Sequence, residues 1–408
     1  MKASTGAGAA LAGLALVGGG IYAVPTLLER GAPPPAEQRL GGKPEAGSAE
    51  PGATAPAGRP FTLVATGDII PYPSIVTRSA QDADKPGEHD FRKILAGVKP
   101  LVSAADLAIC HHEIPYGRPG GPYTGYPTFK APHQLADALK DAGYDSCSTA
   151  SNHTLDDGYD GLARTLDHLD RVGVPHVGSA RSAEEAKAPA RMSAGGAEVA
   201  QLSYTYGTNG IPLPPDKPWA VNLIDRDRII ADARAARAAG AQVVVLSIHW
   251  GTEWQTAPDQ QQRELAQALT ASRGADGLAD IDLIIGTHNH VPQLYEKING
   301  TWVVFGMGDQ VASFTPADKL RGNQSSVPRF TFAPAAAHPG RWEVVKAEYL
   351  TQYSDMGPPF RVVCASCSAS DSTLPEAKRA EYARIDRQVT EAVMSRGAGG
   401  QGLTHAER

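Results

Sequence analysis

Residues 281–293 read IDLIIGTHNHVPQ, an apolar run that ends in a glycine and a His-Asn-His triplet. The run Ile281–Ile285 is short and rich in branched side chains, which predicts a buried β-strand. Alternate side chains of an extended segment point to the same side, so His288 and His290 would converge on one point. Because imidazole nitrogens bind zinc, iron and nickel ions, the stretch predicts a strand whose carboxyl end carries metal ligands.

Short apolar runs that end in polar or glycine residues recur along the chain from Phe61 onwards, and helical patterns lie between several of them. This alternation predicts an α/β fold, a layered and largely parallel sheet with helices on both faces. The predicted strands are Phe61–Thr66, Asp106–Cys110, Tyr144–Thr149, Gly173–Val177, Glu198–Tyr204, Gln242–Ile248, Ile281–Ile285, Thr301–Phe305 and Trp342–Tyr353. The predicted helices are Pro132–Ala142, Tyr159–Val172, Asp225–Ala239, Asp259–Arg273 and Glu376–Ser395.

Side chains able to bind metal follow four other predicted strands. Asp68 follows the first strand, Glu113 the second, Asn152 the third and His249 a later one. Sheets of this class bind their ligands beyond the carboxyl ends of the strands. We therefore predict that these four side chains meet the two histidines of the His-Asn-His triplet in one site.

Carboxylates, an amide and imidazoles make up this predicted donor set. His111 shares a face with Glu113 in an extended strand, whereas His112 points away and is interpreted as a packed or surface residue. The set suits one or two divalent cations, with manganese, iron, zinc and magnesium all open. Metal ions in such sites lower the pKa of bound water and polarise carbonyl or phosphoryl oxygens.

The residue after Asn152 is His153, which we predict to be the catalytic acid or base. The alternative for this stretch is a turn followed by a helix that Asp156 or Asp157 caps.

The loop Pro115–Pro132 carries several tyrosines, and we predict that it covers the site. Tyr126 and Lys130 are its predicted substrate-binding residues. A lysine here, together with Arg118, would suit an anionic polymer such as polyglutamate. An ordinary surface loop with aromatic packing is the alternative.

The composition argues against a nucleic-acid partner. The formal net charge is -6, the sequence pI is about 6.1, and aromatic residues make up 6% of the chain. Neither the basic face of a duplex binder nor the stacking platform of a single-strand binder is expected.

Four cysteines are too few for a disulfide scaffold. Cys364 and Cys367 are spaced like a redox pair or half a zinc site, but the chain has no second such pair. A local disulfide or two plain thiols is therefore the preferred interpretation.

The N-terminal region predicts export. Residues 7–28 are almost wholly apolar or small, which is just long enough to span a bilayer, so 1–30 is predicted to be a membrane anchor, or else a cleaved signal peptide. Residues 31–60 form a Pro/Gly/Ala-rich linker that we expect to be disordered. A folded domain over 61–370 and a C-terminal helix with a flexible tail over 371–408 would follow. The domain would then lie outside the cytoplasm, attached to the cell membrane or, alternatively, secreted.

Taken in order, six stretches resemble the bacterial capsule-synthesis CapA family, which is associated with poly-γ-glutamate capsule. They are ATGDIIP, DLAICHHEIP, GYDSCSTASNHTLDDGYDGLARTLDHL, VVVLSIHWGTEW, DLIIGTHNHVPQ and WVVFGMGD. The resemblance spans roughly Phe61 to Phe314 and implies a fold similar to the calcineurin-like metallophosphoesterases. It implies metal-ligand roles for Asp68, Glu113, Asn152, His249, His288 and His290, with Glu113 between the metals and His153 near the leaving group.

Three departures from these patterns bear on the chemistry. The phosphoesterase Asp-x-His motif is replaced by Asp68-Ile69-Ile70, for which His111 is a candidate substitute ligand. Glu113 stands where that pattern has a bridging Asp, and Gly308-Asp309 stands where the CapA family has Gly-Asn.

The resemblance implies a metal-dependent hydrolase or transferase that acts on an envelope polymer such as polyglutamate, within a polymer-synthase complex. Two alternatives stay open: a non-catalytic tether or export component, and a metal-dependent phosphodiesterase.

Overall fold

The computed structural model describes residues 58–406, so the predicted anchor and most of the predicted linker lie outside the described residues. Two β-sheets and the helices around them make up this part of the chain. The strands are β1 Phe61–Ile69, β2 Leu107–His112, β3 Ser146–Ser148, β4 His176–Val177, β5 Ala190–Ala194, β6 Ala197–Thr205, β7 Val243–His249, β8 Leu283–Thr287, β9 Tyr295–Ile298, β10 Thr301–Val304, β11 Asp309–Val311, β12 Gln324–Pro334, β13 Trp342–Asp355, β14 Arg361–Cys364 and β15 Leu403–His405. The helices are α1 Pro73–Asp82, α2 Arg92–Leu95, α3 Lys99–Ser103, α4 Gln134–Ala142, α5 Gly158–Val172, α6 Arg226–Ala238, α7 Gln260–Ala271, α8 Ala365–Ser368 and α9 Glu376–Val393.

The first sheet is mixed and has nine strands. Its order is β14-β13-β12-β1-β2-β3-β4, with β11 added beside β1 and β15 beside β13. Strands β1 to β4 run parallel to one another, while β12, β13 and β14 are antiparallel. The carboxyl ends of β1, β2 and β3 therefore lie at one edge of this sheet.

The second sheet has six strands in the order β5-β6-β7-β8-β10-β9. Its four central strands are parallel, and the hairpin partners β5 and β9 close its two edges. Strand β7 is buried at every residue. Burial on both faces explains why this strand reads as an unbroken apolar run instead of an alternating one.

The two sheets pack against each other through an apolar interior. Leu63 and Ile109 of the first sheet share one buried cluster with Val245 and Ile285 of the second. A separate cluster joins the first sheet to helices α1–α5, and another joins the second sheet to α6 and α7. The layers thus run helix, sheet, sheet, helix.

This architecture corrects the predicted single sheet with helices on both faces. Each sheet has helices on its outer face, and its inner face lies against the other sheet, with α9 packed into the same inner cluster beside β13. Fully buried strands have the same apolar signature whether a helix or a second sheet covers them. The assignment of strands to two sheets was therefore not visible in the periodicity.

The C-terminal part also differs from its prediction. Strand β12 was not predicted, because Gln324, Ser325 and Ser326 begin it with buried polar side chains. The predicted strand Trp342–Tyr353 and the predicted terminal helix are present as β13 and α9. Beyond α9, β15 pairs in parallel with β13 rather than forming a flexible tail.

Both cysteine pairs form disulfides. Cys364 and Cys367 form the local bond that their spacing allowed. Cys110 and Cys147 are register partners on the parallel strands β2 and β3, with Cα atoms 4.5 Å apart. The second pairing depends on strand register, which the sequence did not reveal.

Over residues 58–406, the helices are all too short or too polar to cross a bilayer. The apolar segment at 7–28 lies outside that range.

Near the end of β1, the backbone of Gly67 lies directly against the backbone of Gly308. A Cβ atom there would lie 1.7 Å from the carbonyl oxygen of Gly308. We expect Gly67→Ala to lower the free energy of unfolding by about 3 kcal/mol, since two backbones would have to separate. Urea denaturation measures the effect. Gly400→Ala is the control, because its Cβ would meet no atom within 4 Å. Equal decreases in the free energy of unfolding of Gly67→Ala and Gly400→Ala would contradict this expectation.

Candidate metal centre

Asp68 lies at the carboxyl end of β1 and is fully buried. Its Oδ2 atom accepts a hydrogen bond from the backbone N–H of His288, 3.0 Å away. This bond joins the end of the first sheet to the loop that follows β8 of the second. The other oxygen, Oδ1, is buried and has no hydrogen-bond partner within residues 58–406. An ionised oxygen in this position would be stabilised by a nearby positive charge.

His111 presents a free ring nitrogen to Asp68. The Ser148 hydroxyl donates to the Cys110 carbonyl oxygen, so it accepts at the same time from His111 Nδ1–H, 2.8 Å away. This leaves the Nε2 lone pair of His111 facing Asp68 Oδ1 at 3.7 Å. A hydrogen-bonded Nδ1 and an open Nε2 are the usual state of a metal-binding histidine.

His112 is the last residue of β2 and Glu113 follows it, and their side chains have different surroundings. The ring of His112 packs against Tyr116, with centroids 4.6 Å apart. Glu113 is buried, and neither carboxylate oxygen has a hydrogen-bond partner within the described part of the chain. Its Oε1 lies 3.9 Å from His249 Nε2, so Glu113 faces the same centre as Asp68 and His111.

Asn152 and His249 meet directly. The Nε2–H of His249 donates to Asn152 Oδ1 over 2.7 Å, and its Nδ1 lies 3.0 Å from the Thr287 hydroxyl. That Nδ1 is also 4.0 Å from Asp68 Oδ1. The ends of β3 and β7 thus reach the same centre, although they belong to different sheets.

His288 and His290 converge, but not as an extended segment. Their φ angles are 96° and 59°, both in the left-handed region that non-glycine residues rarely occupy. The ring of His288 lies 4.7 Å from that of His249, while His290 Nδ1 contacts the Asp309 carboxylate at 3.0 Å. The two histidines thus approach different sides of the centre. Local strain of this kind clusters at functional sites.

Burial dominates the electrostatics. It raises the pKa of Asp68 and of Glu113, and it lowers the pKa of His111 and of His288 to about 3. Burial alone would also lower the pKa of His290, but the adjacent Asp309 carboxylate and other acids outweigh it and raise that pKa to about 10. The centre therefore concentrates carboxylates that cannot all ionise without a compensating cation.

The donor geometry fits divalent metal in two positions. Ligand atoms of Asp68, His111 and His249 lie within 4.8 Å of one another, as do those of Asp68, His290 and Asp309. Asp68 belongs to both groups, whereas Glu113, to which the resemblance assigns the place between the metals, belongs to neither. Every member of both groups is buried, and Asp68 Oδ1 and His111 Nε2 lack hydrogen-bond partners within residues 58–406, as metal-binding atoms would before a metal binds.

Two of these ligand candidates were weakly signalled by the sequence. The sequence marks His111 only as a substitute for the missing histidine, and its Nε2 faces Asp68. It marks Asp309 only as a departure from a family pattern. Pairing of β11 with β1 places Asp309 in register with Asp68, which no local pattern could indicate.

His153 forms a dyad with Asp156. Its Nδ1–H donates to Asp156 Oδ2 over 2.6 Å, and the same oxygen accepts the backbone N–H of Phe129. The alternative in which Asp156 or Asp157 caps the next helix is wrong for both side chains. Asp157 holds the N-cap position of α5 without a capping hydrogen bond, and its carboxylate pairs with Arg164 instead.

The two predicted substrate-binding residues have different surroundings. Lys130 lies 3.5 Å from Asp157 Oδ1, so its charge already has a partner. Tyr126 is 80% exposed and lies at the rim of a cleft of about 300 Å³. His153 and His290 line the same cleft, which therefore opens directly onto the candidate metal centre. A substrate role for Tyr126 stays a prediction.

The segment after β6 supplies two residues that no motif marked. Asn209 Oδ1 accepts from Asn152 Nδ2 at 3.1 Å, and Asn209 Nδ2 lies 3.5 Å from His153 Nε2. Tyr206 packs its ring 4.5 Å from the ring of His288. Asn209 thus orients both members of the Asn-His pair.

Comparison with known proteins places this site in a family. The family model described as "Bacterial capsule synthesis protein PGA_cap" matches residues 62–313, which is more than half of the chain. "PGA biosynthesis protein CapA" of Bacillus subtilis is 29% identical over 184 residues, 42% of this chain and 44% of that protein. "Capsule biosynthesis protein CapA" of Bacillus anthracis is 25% identical over 184 residues, 44% of this chain and 43% of that protein.

Each match thus covers less than half of these relatives' length. Among solved structures, a 5'-nucleotidase precursor from Thermus thermophilus aligns with TM-score 0.43 and 16% identity, over 82% of this chain and 60% of that one. A TM-score of 0.43 is too low to support a conclusion about chemistry. The family match over residues 62–313, however, contains every ligand candidate from Asp68 to Asp309, and the chain belongs to the bacterial capsule synthesis protein PGA_cap family.

Proposed function

We propose that this protein is a divalent-metal-dependent hydrolase or transferase that acts on a polyglutamate-like polymer of the cell envelope. The observation that carries the proposal is the buried, unpaired Asp68 Oδ1 atom, shared by two groups of ligand atoms. The two packed sheets and the metal-binding set at their common edge support a metallophosphoesterase-like relationship. The names of the Bacillus relatives support the polymer.

A divalent cation at this centre would act as a Lewis acid towards a carbonyl or phosphoryl oxygen of the substrate. The protein supplies the proton transfer. Because His153 Nδ1–H is held by Asp156, the ring presents Nε2 to the cleft, where it exchanges a proton with the attacking or leaving group. Asn209 limits rotation of the same ring.

A non-catalytic role in polymer binding or export is the second candidate. Ile70 stands where the phosphoesterase pattern has a histidine, and it is a buried apolar residue lining the cleft. A chain that binds metal and polymer but turns over neither polymer nor ester would support this candidate.

We also propose that the domain works outside the cytoplasm. The two disulfides support this placement, because such bonds persist in oxidising compartments. The apolar segment at 7–28 supports it as a membrane anchor or signal peptide.

Substitutions of Asp68 and of the adjacent residues His111 and His112 test whether the protein binds metal at this centre. We expect His111→Gln and Asp68→Asn to lower metal affinity at least tenfold, by roughly the amount that loss of a supporting ligand costs. His112→Gln is the matched control, since it is equally buried but packs against Tyr116. Metal-to-protein ratios after dialysis against a metal buffer provide the measurement. Unchanged ratios in the first two variants would contradict the proposed centre.

Substitutions of His153 and Asp156 test whether the protein catalyses cleavage of the polymer. We expect His153→Gln to slow cleavage of poly-γ-glutamate by roughly 10² to 10⁴, the range for general acid–base catalysis. Asp156→Asn should slow the cleavage less than His153→Gln does. Neither of these two variants should change the metal content of the protein. Asp157→Asn is the control, because its carboxylate contacts Arg164 and Lys130 rather than His153.

Product size on gel filtration measures polymer cleavage, and bis-(nitrophenyl) phosphate with added Mn²⁺ tests phosphodiester hydrolysis. Absence of turnover on both by the metal-loaded wild type would favour the non-catalytic role.

A further inference from the structure

The cleft beside the metal centre contains a lysine that the sequence motifs did not mark. Lys319 lies in the short 3₁₀ segment Ala317–Asn323, beyond the residues that the family model matches. Its ammonium stands over the ring of Trp254, 4.6 Å from the centroid. The side chain is half-buried and makes no ion pair within residues 58–406. Lys130, the predicted polymer-binding lysine, is by contrast paired with Asp157.

The wall beneath Lys319 is aromatic and held rigidly. Trp254 packs edge-to-face with Phe314 at 4.9 Å, and Phe314 packs in the same way with Tyr72 at 5.0 Å. A Cβ on Gly322 would come within 2.6 Å of the Phe314 ring and 3.0 Å of the Trp254 ring, so only glycine permits this approach. Asn323 exchanges two hydrogen bonds of 2.8 Å with the Phe314 backbone.

Trp254 is also held from the opposite side, by the loop that carries the metal ligands. Its backbone N–H donates to the Asn289 carbonyl oxygen over 2.9 Å, and its φ of 67° is in the left-handed region. Asn289 lies between His288 and His290 in the chain. The aromatic wall and the metal centre therefore have a fixed spacing. Strain maintained by surrounding contacts is a mark of functional positions.

The charges in the cleft are few. Besides Lys319 and His290, the charged side chain that lines it is Glu253, whose Oε1 lies 3.9 Å from His290 Nε2. Glu253 therefore lies beside the candidate metal centre and forms no ion pair with Lys319. One ammonium above an apolar wall suits a single carboxylate on a short aliphatic chain. Phosphate is more often held by several donors or by the arginine fork.

We infer that the cleft formed by Tyr72, Trp254, Phe314 and Lys319 is a recognition subsite for one carboxylate-bearing residue of an extended substrate. Lys319 binds the carboxylate, and the aliphatic carbons pack on Trp254 and Phe314. The inference rests on the proposed function, since it names the part of the substrate that lies next to the reacting bond. A chain of γ-linked glutamates has this chemistry, with one free carboxylate and two methylenes in each unit.

Binding of γ-linked triglutamate to the full chain, measured by calorimetry in EDTA, tests the subsite without metal. We expect Lys319→Met to weaken binding about tenfold, as for loss of one charged hydrogen bond. Lys319→Arg should retain most of the affinity, because it keeps the charge. The analogue with its free α-carboxylates converted to carboxamides should bind the wild type as weakly as the acid binds Lys319→Met.

Lys297→Met is the matched control, because Lys297 also stands over a tryptophan, 6.0 Å from the Trp302 centroid, in a different cavity. It should bind the triglutamate like the wild type. Equal affinities of the wild type and Lys319→Met, or of acid and carboxamide, would overturn the subsite. So would displacement of triglutamate by an equal concentration of inorganic phosphate. Metal content is measured in a separate experiment. The triglutamate result therefore tests the subsite even if the protein proves to bind no metal.

Discussion

The hydrogen bond from the His288 N–H to Asp68 links two sheets through a carboxylate that water does not reach. Everything else in the candidate site is arranged around this contact. Asp68 has one oxygen satisfied by the second sheet and one oxygen left open towards His111 and His249. Isolated buried charge is expensive, so a cation bound here would stabilise the ionised form of this carboxyl group. The packing of the sheets and the proposed chemistry therefore depend on the same group.

The close approach of the two sheet edges has local consequences. Gly67 must lack a side chain because Gly308 lies against it, and Gly308, with φ of 78°, directly precedes Asp309. His288 and His290 adopt left-handed backbone conformations so that both rings face inwards from one short loop. These features cost conformational free energy that the surrounding packing must offset. Their concentration at one edge distinguishes the site from the rest of the two sheets.

Recognition and chemistry come from different parts of the chain. The ligand candidates and His153 lie at or near strand ends, within the residues that the family model matches. The cleft wall combines Tyr72 and Trp254 with Phe314 and Lys319, the last two just beyond that match. The exposed position of Tyr126 at the rim is consistent with this division.

The sequence alone determined the α/β class, most of the strands and helices, and the residues that end the strands. It did so because buried parallel strands are continuous apolar runs, and the side chains that follow them stand out by their chemistry. The direction of His112 followed from the two-residue period of a strand. Only the tertiary structure decided that the strands form two sheets, that Asp68 rather than Glu113 is shared between the two ligand groups, and that Asp309 joins it. It also decided that, among the residues the structure describes, Lys319 lies beside the site without an ion pair, whereas Lys130 is paired with Asp157. These outcomes depend on contacts between residues far apart in the chain, such as the 220 positions between Asp68 and His288, and local patterns carry no information about them.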